Sequence, residues 1–186
     1  MRIGMKPGTV IKTMKMDGKN VIFRTIRESD IDDLFEHINM LVKERAFISM
    51  QHSATPKEEK KWLKRSIESL KKNKTITVVV ETDGKAIASA HVAEGDKDAI
   101  RHVCEIGVGL MKEYRGIGIG TELMKVLLDI GKKILKCSMA RLSVYEPNKA
   151  AKHVYEKIGF KEAGRIPKGC NYYGKYYDEI IMVKEL

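Results

Sequence analysis

The chain has 186 residues, a length that fits one compact domain better than two. With 43% hydrophobic and 32% charged residues, a globular core is expected and wholesale disorder is excluded. Lysine and arginine total 35 against 25 acidic residues, and the resulting net charge of +10 favours anionic ligands. No apolar segment is long enough for a membrane span or a signal core, so we expect a cytoplasmic protein without membrane contact. Three widely spaced cysteines, Cys104, Cys137 and Cys170, predict neither a disulfide framework nor a metal site.

The first part of the chain predicts strands and helices in the order β-α-α-β-β. Residues 1–19 are expected to be an N-terminal extension, either frayed or an extra strand, before a domain over 20–186. The segment NVIFRTI predicts a strand, and Ser29 is predicted to cap the helix that follows. A second helix with exposed lysines is predicted by a capping box, Thr55 with Glu58, and by the apolar stripe Leu63, Ile67 and Leu70. The turn signal Asp83-Gly84 then joins two strands, 76–81 and 86–92.

The second part predicts a strand over 102–111, a helix, a strand over 141–145, a short helix and two closing strands. The longer helix carries an apolar stripe of Leu123, Leu127, Ile130 and Ile134. Asn148 caps the short helix, and Gly159 ends it because glycine tolerates the left-handed conformation. The whole order predicts an α/β (α+β) domain built on a mixed sheet.

The most informative segment is the glycine-rich turn RGIGIG, residues 115–120, between a strand and a helix. Alternating glycines let the backbone approach a ligand, and the amides at a helix N-terminus suit a phosphate. Arg115 adds a cation beside the turn. The spacing does not fit the dinucleotide fingerprint, because the third glycine position is Thr121, and no P-loop motif occurs. The turn fits the pattern [RQ]-x-x-G-x-[GA] instead, although a tight turn without a ligand would use the same residues.

The strand before the turn has an unusual second face. Cys104, Ile106, Val108 and Leu110 share an ordinary apolar face, and Val103, Glu105, Gly107 and Gly109 share the other. Glycines inside a strand mark a bulge or the close approach of a ligand or another backbone. We therefore expect a long phosphate-bearing ligand to lie along this strand and to end at the turn.

Two segments then carry a resemblance to a known family. EIGVGLMKEYRGIGIGTELM, residues 105–124, and NKAAKHVYEKIGF, residues 148–160, resemble the GNAT superfamily of acetyl-CoA-dependent N-acetyltransferases. The second segment fits the family pattern N-x-x-A-x-x-x-Y-x-x-x-G-F, whereas Lys112 departs from the proline common before the turn. The resemblance covers about residues 20–186 and implies a mixed, mostly antiparallel sheet, flanked by helices and splayed at the cofactor-binding strands.

The resemblance also implies roles for individual residues. Backbone groups near Val108, Gly109 and Leu110 would pair with the pantetheine arm of acetyl-CoA. Contacts to the cofactor would also come from Asn148, Ala151 and Tyr155, although Asn148 is equally well explained as a helix cap. The amides that would hold the pyrophosphate belong to Arg115, Gly116, Ile117, Gly118, Ile119, Gly120 and Thr121.

Two residues are the candidates for proton transfer in the attack of an amine on the thioester. Near neutral pH an amine is largely protonated, so a base must remove a proton, directly or through water. Glu105, on the glycine-lined face, is that candidate, and its alternative role is an ordinary surface glutamate. Tyr155 matches the family's usual general acid for the departing thiolate, and its alternative role is packing of the helix. His91 and His102 are weaker candidates that could face the acceptor.

The acceptor remains open at this point. GKYYDEIIM, residues 174–182, resembles closing strands of Rim-type protein N-acetyltransferases, which favours a protein N-terminus or a lysine. A polyamine or another small amine is the alternative, with the acidic residues Glu105, Asp178 and Glu179 as its partners. The nearby tyrosines fit equally a lining of the acceptor channel or packing of the closing strands, namely Tyr172, Tyr173, Tyr176 and Tyr177. A basic nucleic-acid-binding module is the alternative of a different class, but no recognition motif supports it. An inactive CoA-binding relative is disfavoured by the intact motif residues, and a dimer through a C-terminal edge strand is a further expectation.

Overall fold

The computed structural model describes residues 5–186, which form one eight-stranded sheet with helices on both faces. The strands are β1 (Val10–Met16), β2 (Lys19–Thr25), β3 (Thr75–Thr82), β4 (Lys85–Glu94), β5 (Val103–Leu110), β6 (Met139–Tyr145), β7 (Lys161–Tyr172) and β8 (Lys175–Glu185). The helices are α1 (Ile31–Lys43), α2 (Pro56–Lys71), α3 (Ile119–Ile130) and α4 (Lys149–Lys157). The order of elements agrees with the sequence prediction, with one strand added in front of it.

The sheet order is β1-β2-β3-β4-β5-β6-β8-β7, and every neighbouring pair except β5 and β6 is antiparallel. The parallel pair is short, since it matches only Val103, Cys104 and Glu105 with Met139, Ala140 and Arg141. Beyond Glu105 the two strands separate while β5 continues to Leu110. The GNAT-type fold, mostly antiparallel and splayed in its middle, is therefore confirmed.

The helices cover the two faces of the sheet unequally. A Cβ at Gly109 would contact Leu41 of α1, whereas a Cβ at Gly131, just after α3, would contact Cys104 on the opposite face of β5. Helix α1 also contacts α2, which packs against β3. We refer to the face that carries α1 and α2 as the acceptor face; buried apolar residues from α1, α2 and α3 share one core cluster.

The extension predicted over residues 1–19 contains strand β1, which pairs with β2, while its first four residues lie outside the described part of the chain.

Helix α2 begins with the predicted capping box, in which the Thr55 side chain accepts from the Glu58 amide. Leu63, Ile67 and Leu70 are buried, so most lysines of α2 face solvent. Strands β1 and β7 form the two edges of the sheet, and a dimer through such an edge stays a prediction.

Two local predictions are wrong. Ser29 does not cap α1, because residues Glu28–Asp30 form a 3₁₀ turn in which buried Asp30 accepts from the Arg27 amide at 2.9 Å. Arg24 fixes that carboxylate with hydrogen bonds of 2.8 and 2.7 Å. The apolar stripe predicted to run from Leu123 to Ile134 is also shifted at its end, because Gly131–Leu135 form a π-helical turn. That wider turn buries Leu135 and leaves Ile134 only partly buried.

Candidate active site

The glycine turn after β5 presents a row of unpaired backbone amides. Gly116 and Gly118 have φ angles of +82° and +92°, and Gly118 is the residue that precedes α3. Both angles suit glycine, and the first amides of a helix have no partner within the helix. Within the described chain, the six amides from Gly116 to Thr121 donate no hydrogen bond to a protein acceptor. The turn can therefore hold an anion with backbone donors and with the positive end of α3.

Arg115 has a different role from the one predicted. Its amide donates to the Lys112 carbonyl at 3.2 Å, so the row of free amides begins at Gly116. Its guanidinium donates from Nε and Nη2 to the Leu110 carbonyl, at 2.9 and 2.7 Å, and from Nη2 to the Glu44 carboxylate. Arg115 thus ties the turn to the end of β5 and to the residue that follows α1, instead of offering a free cation.

The separated edge of β5 also leaves backbone groups unpaired. The Val103 carbonyl accepts from Gly95, and the Met111 amide donates to Ile87, so both residues point towards β4. Because neighbouring residues of a strand point in opposite directions, Val108 and Leu110 point towards the gap beside β6. The Leu110 carbonyl is engaged by Arg115, which leaves its amide and both polar groups of Val108 available. Gly109, also predicted to contact the cofactor, turns its polar groups towards β4 instead.

The glycine-lined face of β5 is filled by protein, which corrects the sequence interpretation. A Cβ at Gly107 would lie 2.4 Å from Cε1 of His91, and one at Gly109 would lie 2.9 Å from Cδ1 of Leu41. The two glycines therefore make room for a histidine and for helix α1, and a ligand along β5 would use the splayed edge. Glu105 lies on this face with a side chain that is 63% exposed, and its Oε2 is 3.5 Å from Nη2 of Arg141.

The residues of α4 lie on the other side of the gap. Asn148 caps the helix by accepting from the Ala151 amide at 3.3 Å, which confirms its structural role. The Tyr155 ring is half-buried and packs against Phe160, with a distance of 6.1 Å between ring centroids. Burial raises the pKa of Tyr155 to about 12, so its hydroxyl stays protonated near neutral pH. No hydrogen bond within the described residues engages that hydroxyl, which leaves it able to donate a proton.

One long-range contact beside the site is not predicted by the sequence. The loop after α1 reaches the β7–β8 hairpin, where Gln51 donates to the Asn171 carbonyl at 2.7 Å and accepts from the Tyr173 amide at 2.9 Å. Tyr172 donates to the Ala46 carbonyl, and Arg45 lies 4.8 Å above the Tyr173 ring. The tyrosines expected to line one channel are thus divided, because Tyr172 is buried in this contact and Tyr176 is 62% exposed.

His37 is the most deeply buried histidine of the site. It lies on α1 beside Gly109, is only 4% exposed, and its Nε2 has no hydrogen-bond partner. Burial, and to a smaller degree the charge of Arg115, lower the pKa of His37 to about 4, against the effect of the Gly109 backbone. His37 is therefore neutral at physiological pH. His102 lies in the turn before β5 and is exposed.

The described residues offer neither a metal-binding cluster nor a membrane-spanning helix. Across residues 5–186, no three His, Cys, Asp or Glu side chains come close enough together to hold a metal ion. Over the same range, no helix combines the length and the apolarity that a membrane crossing needs. Cys104, Cys137 and Cys170 are buried and are not paired in a disulfide.

Comparison with known proteins agrees with this geometry. The family model described as "Acetyltransferase (GNAT) domain" matches residues 20–161, well over half of the chain. The chain belongs to the GNAT acetyltransferase family. Members of this family transfer an acetyl group from acetyl-CoA, and the unpaired amides and the splayed edge of β5 fit the pyrophosphate and the pantetheine arm of that molecule.

Individual relatives add detail. The spermidine N(1)-acetyltransferase of Escherichia coli is 31% identical over 107 residues, which are 56% of this chain and 55% of that protein. The chain spans about half the length of the curated relatives it matches first, at 49% and 55%. The ribosomal-protein-S5-alanine acetyltransferase of Vibrio fischeri has a TM-score of 0.81 and 22% identity, over 94% of this chain and 97% of that one. yncA from Salmonella typhimurium, solved with its cofactor acetyl-CoA, has a TM-score of 0.77 and 18% identity, over 89% and 94%. At these identities, the two solved structures show a shared fold.

Proposed function

We propose that this GNAT protein transfers the acetyl group of acetyl-CoA to a primary amine of a protein, at an N-terminus or a lysine. The observation that carries the proposal is the row of six unpaired amides, continuous with the unpaired edge of β5. Together they offer donors for a pyrophosphate and a strand edge for an extended amide-bearing arm. Acetyl-CoA contains both groups in that order and supplies the activated acetyl group.

The cofactor contacts proposed for this chain are backbone contacts first. Gly116 to Thr121 would bind the pyrophosphate, and Val108 and Leu110 would pair with the pantetheine arm. The side-chain amide of Asn148 can donate to the same arm, because its oxygen alone is engaged in the cap. Ala151 and Tyr155 face the core side of α4 and would close the gap behind the arm.

The proposed chemistry needs one proton acceptor and one proton donor. Glu105 lies on the acceptor face, where its carboxylate can draw the proton of the amine, directly or through water. Tyr155 would protonate the departing thiolate, because its hydroxyl is protonated near neutral pH and no described residue engages it. The acceptor amine would attack the thioester directly in a ternary complex, because these roles need no nucleophile from the protein.

Two guanidinium groups favour a protein acceptor over a polyamine. Arg141 pairs with Glu105 on the acceptor face, and Arg45 lies in the loop after α1, over the Tyr173 ring. A polycation would meet both guanidinium groups, whereas a peptide offers carbonyl groups that these can bind. The second candidate is a polyamine, which the match to the E. coli spermidine acetyltransferase favours.

A parallel assay with three acceptors tests the proposal. Release of CoA is followed with a lysine-free peptide that has a free α-amine, with its N-acetylated counterpart that contains one lysine, and with spermidine. Faster turnover with either peptide supports a protein acceptor, and spermidine alone as a substrate would establish the second candidate. Absence of turnover with all three would contradict both.

A further inference from the structure

His91 occupies an unusual place on the acceptor face. It lies on β4 directly opposite Gly107 of β5, in register with it, and therefore shares a face with Glu105. The distances of 2.4 Å and 3.0 Å from a Cβ at Gly107 to Cε1 and Nε2 of His91 show that the ring leans over β5. The ring therefore points towards β6, on the side where β5 and β6 separate. The glycine is what permits this position.

The groups around His91 favour a neutral imidazole with a carboxylate nearby. Glu105 on β5 shares its face and pairs with Arg141 on β6, Thr77 lies opposite on β3, and neutral His37 on α1 lies beside Gly109. His91 is an exposed residue, yet the protein atoms packed around its ring lower its pKa, and the negative charge of Glu105 acts in the opposite direction. The net effect places the pKa of His91 below its ordinary value and so favours the neutral imidazole.

We propose that His91 accepts the proton of the acceptor amine in place of a transfer to Glu105, and that the Glu105 carboxylate stabilises the imidazolium that forms. The inference rests on the proposed acetyl transfer and places His91 between the amine and the carboxylate. An imidazole suits this role because its basicity lies closer to that of an amine than a carboxylate's does. Because His91 is exposed, an incoming amine can reach it, and Glu105 offers the charge that the ion pair needs.

The proton balance of the step is complete with the groups named. His91 takes one proton from the ammonium group, and the neutral nitrogen attacks the thioester carbonyl carbon. As the C–N bond forms and the C–S bond breaks, the nitrogen loses its second proton to solvent. Tyr155 gives a proton to the thiolate and regains one from solvent, and the His91 imidazolium releases its proton to solvent. One proton is released overall for each ammonium acetylated.

The test compares His91→Gln and His91→Ala with His153→Gln, which changes an exposed histidine on α4. The acceptor probes are the lysine-free peptide and spermidine, and whichever the unaltered protein acetylates faster is used. We expect His91→Gln to lower kcat/KM at pH 7 by about 10²- to 10⁴-fold, with unchanged acetyl-CoA affinity. Added imidazole should partly restore His91→Ala, because the space above Gly107 is vacated, whereas His153→Gln should behave as the unaltered protein.

A second readout does not depend on the acceptor. In an NMR titration, the His91 signal, assigned by its loss in His91→Gln, should show a pKa below 6.5 that falls further in Glu105→Gln. Normal kcat/KM in both His91 variants would overturn the inference, and so would a His91 pKa that is unchanged in Glu105→Gln. Failure of the proposed function is distinguishable, because it would appear as absent acetyl-CoA binding in the unaltered protein.

Discussion

Gly118→Ala tests the amide row at the residue where the backbone is most constrained. With φ at +92°, an alanine there costs about 1–2 kcal/mol, and its Cβ would lie 3.0 Å from Cε of Met16. For a chain of this size, that loss lowers Tm by about 2–8 °C. The displaced turn should also lose at least one charge-assisted amide contact, worth about 1.5–3 kcal/mol, which weakens acetyl-CoA binding about 10- to 150-fold.

Gly84→Ala is the matched control for this prediction. Gly84 has φ at +77° in the β3–β4 hairpin, and a Cβ there would have no neighbour within 4 Å. The control should lose similar stability and keep its acetyl-CoA affinity. Both quantities are measured by thermal unfolding and by calorimetric titration. Equal affinities of Gly118→Ala and the unaltered protein would refute the assignment of the turn to a pyrophosphate, and an equal loss in Gly84→Ala would show that the effect is general.

Three further predictions concern titratable groups. Glu105→Gln should lower turnover at neutral pH and matter less as pH rises and the amine loses its proton unaided; a ratio of rates that is constant across pH would remove Glu105 from proton transfer. Tyr155→Phe should slow turnover with nearly unchanged acetyl-CoA affinity, whereas a loss of Tm alone would support a purely packing role. Because folded His37 has a pKa of about 4, the unfolded chain binds more protons between pH 6.5 and 4, so the free energy of unfolding should fall by up to about 3 kcal/mol over that range. Denaturant titrations should show a shallower decline for His37→Leu, and an unchanged decline would contradict the assignment.

Local signals made much of the fold predictable from the sequence. The capping box of Thr55 and Glu58, the Asp83-Gly84 turn and the alternation of β5 each depend on residues close together in the chain. The same holds for the amide row, since a strand, alternating glycines and a helix are contiguous. The prediction for the start of α1 was wrong because it depends on distant residues. Arg24 of β2 and Glu81 of β3 form ion pairs with Asp30 and Arg27, which set the local backbone before the helix.

The acceptor side was less predictable, because it depends on contacts between distant segments. Gln51 meets Asn171 across 120 residues, and Arg115 meets Glu44 across 71. No periodicity or motif encodes such pairs. The glycines of β5 were recognised as marking a close approach, but only the register with β4 shows that His91 is what approaches Gly107.

Calorimetric titration of the full chain with acetyl-CoA, with CoA and NAD as comparators, tests the central claim most directly. The account predicts that acetyl-CoA and CoA bind with similar micromolar affinity, because the turn and the edge of β5 recognise the part they share. It also predicts that NAD, which has a pyrophosphate but no pantetheine arm, does not bind measurably. Absence of acetyl-CoA binding, or equal binding of NAD, would contradict the account.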